Sequence, residues 1–365
     1  MESADANLAA TIATYDDFLV TLTGEVATAY VLLRTLEERL AYASSNVAIQ
    51  ARSLEIAQVR FRNGLVTELD VQLARSLLGT TKATIPEIQI GIRKTKLALS
   101  LLLGMPPSEL REILGGAGKI PMTPESVAVG IPADLLRRRP DIRRSELQAA
   151  AQSARIGIAQ ADLYPAFRLI GSIGYAADST GNLLESDSFT GFGGIGFNWK
   201  FLNYGRLRNN VRVQDARFQQ LVAAYKNTVL NAAREVEDGL VTFVRARDRV
   251  TSLTDSVTAS KRAVKLAETQ YRDGVISFTL VLDAQQFLLL TQDLLTAARG
   301  EVARGLIATY KALGGGWQLR DGKPFIPEAV KATMSERTNW GKLLAPYAVE
   351  PVPAEKRGAW RAPDL

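Results

Sequence analysis

Apolar residues recur at helical spacing along most of the chain, and in one region the period falls to two. From about Ala6 to Arg62, Leu32, Leu33, Leu36, Leu40 and Val47 supply apolar positions near that spacing, with no proline and only Gly24. Helix resumes after Gly64 and runs to about Leu103, where Pro86 predicts a kink or an irregular turn. The segment GMPPSEL stops it, and residues 111–132 read as a Gly- and Pro-rich connection. Pro140 and Asp141 suit the first turn of a helix reaching about Leu163. A proline-free helical pattern from about Leu207 to Tyr271 follows, roughly 100 Å at 1.5 Å per residue. Such length belongs to coiled-coil-like assemblies more than to globular cores. Helix returns from about Phe278 to Leu313 and stops at GGGW, and Gln318 to Leu365 reads as a mostly extended tail.

The period-two region begins at Pro165. Phe167, Leu169, Gly171, Ile173 and Tyr175 alternate with Arg168, Ile170, Ser172 and Gly174. Ile195, Phe197, Trp199 and Phe201 alternate with Gly194, Gly196, Asn198 and Lys200. Each strand is about as long as a transmembrane β-strand, roughly 9–11 residues. One face is apolar and aromatic, the other mostly polar or glycine. That pattern fits the wall of a membrane barrel, with Ile195, Phe197, Trp199 and Phe201 toward lipid. Taken alone, it fits a hairpin packed on a soluble core equally well.

The helical segments repeat. FRNGLVTELDVQLAR and YRDGVISFTLVLDAQ stand 210 positions apart, with Gly64 opposite Gly274 at the turns. The offset holds without a gap from Glu25 opposite Glu235 to Gly104 opposite Gly314. An ungapped offset with matched turn glycines marks an internal structural repeat rather than two unrelated hairpins. The glycines suit left-handed positions at helix C-termini, and Ser277 suits an N-cap. At this offset Met1 falls opposite Val211, just after strand gives way to helix. The expectation is a chain that starts inside its first repeat, without an upstream strand pair. Two strands close no barrel unless several chains contribute.

These readings divide the chain into a first-repeat helical hairpin (1–110), a connection and helix (111–164), a β-hairpin (165–202), a second-repeat helical hairpin (203–317) and a tail (318–365). Composition narrows the function. The net charge is +6, from 44 basic and 38 acidic residues mixed along the helices. This suggests solvated helix faces, not a nucleic-acid groove. The arginines at 137–139, 143 and 144 fit a solvated helix start with ion pairs better than a nucleic-acid or lipid patch. Without Cys or His the chain has no disulfide, no thiolate metal site and no imidazole base. No carboxylate cluster replaces them, so neither an enzyme nor a metal or cofactor site is expected. The N-terminus has no basic start followed by an apolar core, and no apolar run approaches the roughly 20 residues of a spanning helix.

The set GIPADLLRRRPDIRRSE, ARIGIAQADLYPAFRLIGSIGY, YGRLRNNVRVQDARF, AREVEDGL, YRDGVISFTLVLDAQ and YKALGGGW, in this order, resembles the TolC-like outer-membrane efflux family. The resemblance is to its NodT/OprM type, the lipoprotein partners of resistance-nodulation-division (RND) pumps. It implies a mainly α protein with a β-hairpin. Each chain of a homotrimer would give strands to a shared outer-membrane β-barrel and helical hairpins to a periplasmic α-barrel. The function implied is a passive exit duct that works with a periplasmic adaptor and an inner-membrane transporter, binds outer-membrane lipid, and needs no nucleic acid or cofactor. The family's signal peptide, lipid-modified cysteine and first strand pair have no counterpart here. The same fold serves type I secretion ducts, and a soluble coiled-coil fragment is the remaining alternative.

By the same resemblance, the duct closes where the helical hairpins turn. Asp283, with Thr279 one turn before it, falls at this periplasmic aperture. Asp70 and Tyr271 take the positions of a closed-state link, and Gly64 and Gly274 those of the tip turns. A basic residue that some members carry two positions after the second glycine is Ile276 here, so any salt bridge from it is lost. From the residues alone, the less favoured alternative for Asp283 is an exposed helix-face carboxylate. Asp70 is equally an acid favoured in a first helical turn.

Overall fold

The computed structural model of the chain describes residues 1–107, 110–124, 138–182, 186–320 and 326–344. All of GIPADLL, Arg137 and the tail beyond 344 lie outside these residues. The elements are α1 (Glu2–Arg62), α2 (Glu68–Leu102), the short α3 (Arg111–Leu114), α4 (Pro140–Ala161), β1 (Ala166–Tyr175), β2 (Phe189–Asn198), α5 (Arg206–Arg272), α6 (Phe278–Ala312) and α7 (Glu328–Arg337). They form two compact units. One takes Met1–Thr14 and Asp141–Val229, and the other Tyr15–Pro140 and Leu230–Pro346.

In the first unit, α4 packs on the start of α5. Ile156 and Ala159 meet Val211, with Leu163 and Phe218 at the margin. The Gln152 side-chain amide donates to both the carbonyl and the side-chain oxygen of Gln214, at 3.1 and 2.9 Å. The two strands form an antiparallel hairpin from Ala166 opposite Asn198 to Tyr175 opposite Phe189. Strand β2 starts earlier than its sequence pattern suggested and ends earlier, so Trp199 and Phe201 lie beyond it. Pro165 accounts for that limit, because it stands where the ladder would continue opposite Trp199 and has no N–H to donate. The expected strand positions of Trp199 and Phe201 are thus corrected. Their rings meet at 5.6 Å, and the Trp199 indole donates to the Leu163 carbonyl at 3.2 Å.

In the second unit the repeat is visible as geometry. Both outgoing helices, α2 and α6, are 35 residues long and begin 210 positions apart. Both turns close with the same pair of hydrogen bonds. Gly64 N–H donates to Phe61 and Leu65 N–H to Arg60, while Gly274 N–H donates to Tyr271 and Val275 N–H to Gln270. This is the Schellman pattern, which satisfies carbonyls left open at a helix end. Gly64 and Gly274 hold φ of 67° and 77°, in the left-handed region. The pattern recurs at the far ends of α2 and α6, through Gly104 and Gly314.

Between α5 and α6 the backbones approach closely. A Cβ on Gly239 would lie 2.9 Å from the Thr309 nitrogen, and one on Gly305 would lie 2.9 Å from the Phe243 nitrogen. Helix α1 lies antiparallel to α6 along a polar seam. Asn46 Nδ2 donates to Gln292 Oε1 at 2.7 Å, and Gln285 Nε2 to Ser53 Oγ at 2.7 Å. Arg39 grips Asp293 through Nε and Nη2 at 2.5 and 3.0 Å, and Arg299 reaches Glu38 at 3.2 Å. Arg34, only 4% exposed, donates to the Leu114 and Gly116 carbonyls and to Glu37, which pins the connection after α3 onto α1.

Three expectations change. Pro86 sits inside an uninterrupted α2. Pro86 is exposed, as is Lys82, whose carbonyl loses its helical N–H partner. The tail is not wholly extended, because the helix formers after Pro327 make α7. Helix α1 contains an 18-residue stretch of mean hydropathy 1.3, apolar enough by composition to cross a membrane, although no contiguous apolar run is present. Its leucines, valines and alanines raise the average, and threonines and charged residues break the run.

Candidate functional site

The turns of the two hairpins converge on one apolar cluster. Ala57 of α1, Val71 and Ala74 of α2, Ala267 and Tyr271 of α5, and Phe278, Val281 and Leu282 of α6 are buried together. Full burial of residues such as Phe278, Val281 and Leu282 contributes about 1.5–3 kcal/mol each. The cluster therefore fixes the two turns against each other. Ile276 packs on its margin as an apolar residue.

That burial sorts the sequence-derived residues. Phe278, Val281 and Leu282 face inward, so Thr279 and Asp283, one turn apart, stand on the exposed side of α6. Leu280, Phe287 and Leu290 share that exposed side, each more than half exposed. Thr67 and Ser277 occupy the N-cap positions of α2 and α6 with extended backbone, yet neither hydroxyl caps the helix.

Tyr271 and Asp70 are near enough to interact electrostatically. Tyr271 is buried, and its hydroxyl has no hydrogen-bond partner among the described residues. Its ring lies 4.9 Å from that of Phe278 and 4.5 Å from the Arg60 guanidinium carbon. Burial pushes the phenol above its ordinary value. The Arg60 charge works against that rise, and the Asp70 charge adds to it. Asp70, in the first turn of α2, thus acts on Tyr271 through space without accepting its proton. Arg60, absent from the sequence-based set, also donates to the Tyr271 carbonyl. Only a basic residue beside the first turn hinted at it, and its repeat mate is Gln270.

The strand hairpin carries the second part of the site. Cross-strand pairs Phe167–Phe197, Leu169–Ile195, Gly171–Gly193, Ile173–Gly191 and Tyr175–Phe189 share one face. No polar side chain interrupts that face apart from the Tyr175 hydroxyl, and its large residues are exposed, Ile195 at 80% and Leu169 at 89%. Aromatic pairs close it at both ends, with rings 5.4 Å apart for Phe167–Phe197 and 5.7 Å for Tyr175–Phe189. Eight residue steps separate these pairs, roughly 26 Å along a strand. The opposite face carries Arg168, Ser172, Thr190 and Asn198, together with Ile170 and Phe192.

Known proteins share this arrangement. The sequence profile of a family described as "Outer membrane efflux protein" matches residues 1–105 and 131–315. Nodulation protein T of Rhizobium leguminosarum bv. trifolii is 31% identical over 320 residues, covering 87% of this chain and 68% of that protein. The pyoverdine export outer membrane protein OpmQ of Pseudomonas putida is 32% identical over 300 residues, covering 82% of this chain and 63% of its own length. The chain thus spans about two thirds of the length of these relatives. Among solved structures, the outer-membrane channel OprN superposes with a TM-score of 0.83 at 32% identity, covering 87% of this chain and 71% of that one. The outer membrane protein VceC of Vibrio cholerae superposes with a TM-score of 0.77 at 27% identity, over 86% and 75% of the two chains. With both helical repeats and the strand hairpin inside the matched segments, the chain belongs to the outer membrane efflux protein family.

Proposed function

We propose that the protein is the outer-membrane exit duct of a tripartite RND-type efflux pump, a passive conduit that catalyses no reaction. The observation that carries this reading is the exposed apolar face of the hairpin, bounded by aromatic pairs at both ends. In water such a face costs free energy; in an outer membrane it matches the roughly 25 Å apolar band and aromatic girdles of a barrel wall. A soluble coiled-coil fragment gives this face no role. Each strand also has an unpaired edge among the described residues, so closure calls for strands from further copies.

Homotrimeric assembly is part of the reading. Leu280, Phe287 and Leu290 on the Asp283 side of α6 are apolar surface that neighbouring copies would cover. Around a three-fold axis, Asp283 and Thr279 would then line the periplasmic aperture, with Gly64 and Gly274 at its rim. A periplasmic adaptor and an inner-membrane transporter are the partners this arrangement would serve. The named relatives include a pyoverdine export protein, which supports efflux over protein secretion. Membrane fractionation tests the reading. Expressed from its own gene, the protein is expected in the outer-membrane fraction as a detergent-resistant trimer. Recovery as a soluble monomer would contradict it.

A further inference from the structure

At the tip, besides the apolar cluster, a charged side chain of the first hairpin holds the backbone of the second. Arg60, in the last turn of α1, donates from Nη1 to the Tyr271 carbonyl in the last turn of α5. That carbonyl also accepts the Gly274 N–H, at 3.0 Å, which closes the second turn. The same guanidinium lies over the Tyr271 ring at 4.5 Å from its centroid. The contact is one-sided. The repeat mate of Arg60 is Gln270, and the mate of Tyr271 is Phe61, which is 42% exposed where Tyr271 is 5% exposed. The contact does not use the phenol, since the Tyr271 hydroxyl has no hydrogen-bond partner.

We propose that Arg60 is the clip that joins the first hairpin to the second at the tip, and that its hold on the Tyr271 carbonyl sets how firmly the Gly274 turn stays closed. The inference rests on the tip being the closing end of the duct, and it deepens that reading. A charge-assisted bond to the Tyr271 carbonyl is a strong one, and it holds in place the oxygen on which the turn closes. Lysine can reach the carbonyl but lacks the planar fork that stacks on the ring. Glutamine, the residue of the other repeat, has neither the charge nor the stack.

Amide hydrogen exchange on the purified protein tests this through the Gly274 and Val275 N–H groups. Arg60→Gln is expected to speed their exchange about tenfold, equivalent to about 1.4 kcal/mol. Arg60→Lys is expected to fall between, and Tyr271→Phe to match the parent. Gly314 and Gly315, at the far end of α6, serve as the control for global loosening. Unchanged exchange in Arg60→Gln would overturn the clip, as would an equal effect of Tyr271→Phe. Conductance in planar bilayers separates the clip from the duct. A faster-exchanging Gly274 turn with unchanged resting conductance would uphold the clip and count against the tip as the closing end.

Discussion

The side-chain amide of Asn46 donates to the Gln292 side-chain oxygen at 2.7 Å, joining α1 of the first repeat to α6 of the second. Both residues are buried. One turn away Gln50 is equally buried, and neither atom of its amide finds a partner among the described residues, so the seam is polar but incompletely satisfied there. Asn46→Ala strands the Gln292 oxygen and is expected to cost about 1–3 kcal/mol of stability. Replacing both by leucine removes donor and acceptor together and is expected to cost far less. A double-mutant cycle by denaturant unfolding measures the coupling. Strict additivity would show that the bond contributes nothing.

The strand face makes a prediction about depth and side. Ile195→Arg, or Phe197→Arg, places a charge on the face that would meet lipid, at about 2–4 kcal/mol near the bilayer midplane. Asn198→Arg lies on the other face and is expected to be milder. The measurement is the yield of folded trimer in outer membranes. Equal yields for all three variants would remove the barrel wall from the account.

Tyr271 gives the tip a dependence on alkaline pH. Its folded phenol is raised above the ordinary value of 10.0, chiefly by burial, so folding favours the protonated form. The associated stability is fully present below pH 10.0 and is lost as pH rises through the higher folded value. Unfolding followed from neutral to strongly alkaline pH is expected to show this loss in the parent and a smaller one in Tyr271→Phe. Identical profiles would mean that the phenol stays protonated or is not buried in solution.

Helix order, turn positions and the repeat were legible because period and turn glycines are local signals. Gly64 and Gly274 announce their left-handed turns, and α2 and α6 start and stop in step with them. What was not legible depends on distant partners. Trp199 and Phe201 continue the alternation of β2, but pairing with a strand that begins after Pro165 ends the ladder at Asn198. The arginines before α4 look alike in sequence, yet Arg139 is buried. It donates to the Ala312 carbonyl at the end of α6 and to Glu235, at 2.7 and 2.9 Å. Nothing beside Arg60 indicates that Tyr271, 211 positions later, lies under its guanidinium. The closed-state positions of Asp70 and Tyr271 came from the family resemblance and not from the residues themselves, and the packing that buries the Tyr271 ring has no local signal in the sequence.

The central claim is that the exposed side of α6 lines the narrow end of a water-filled duct. Asp283 stands on that side, and in the proposed trimer three such carboxylates would approach one axis. Their mutual repulsion is relieved by a bound or passing cation, so the ring selects cations. Ion selectivity of the assembled trimer in planar bilayers, compared between the parent and Asp283→Ala, tests this most directly. The account predicts discrete cation-preferring conductance in the parent, with preference and block by multivalent cations both weakened in the variant. Unchanged selectivity and block would place the constriction elsewhere and contradict the account.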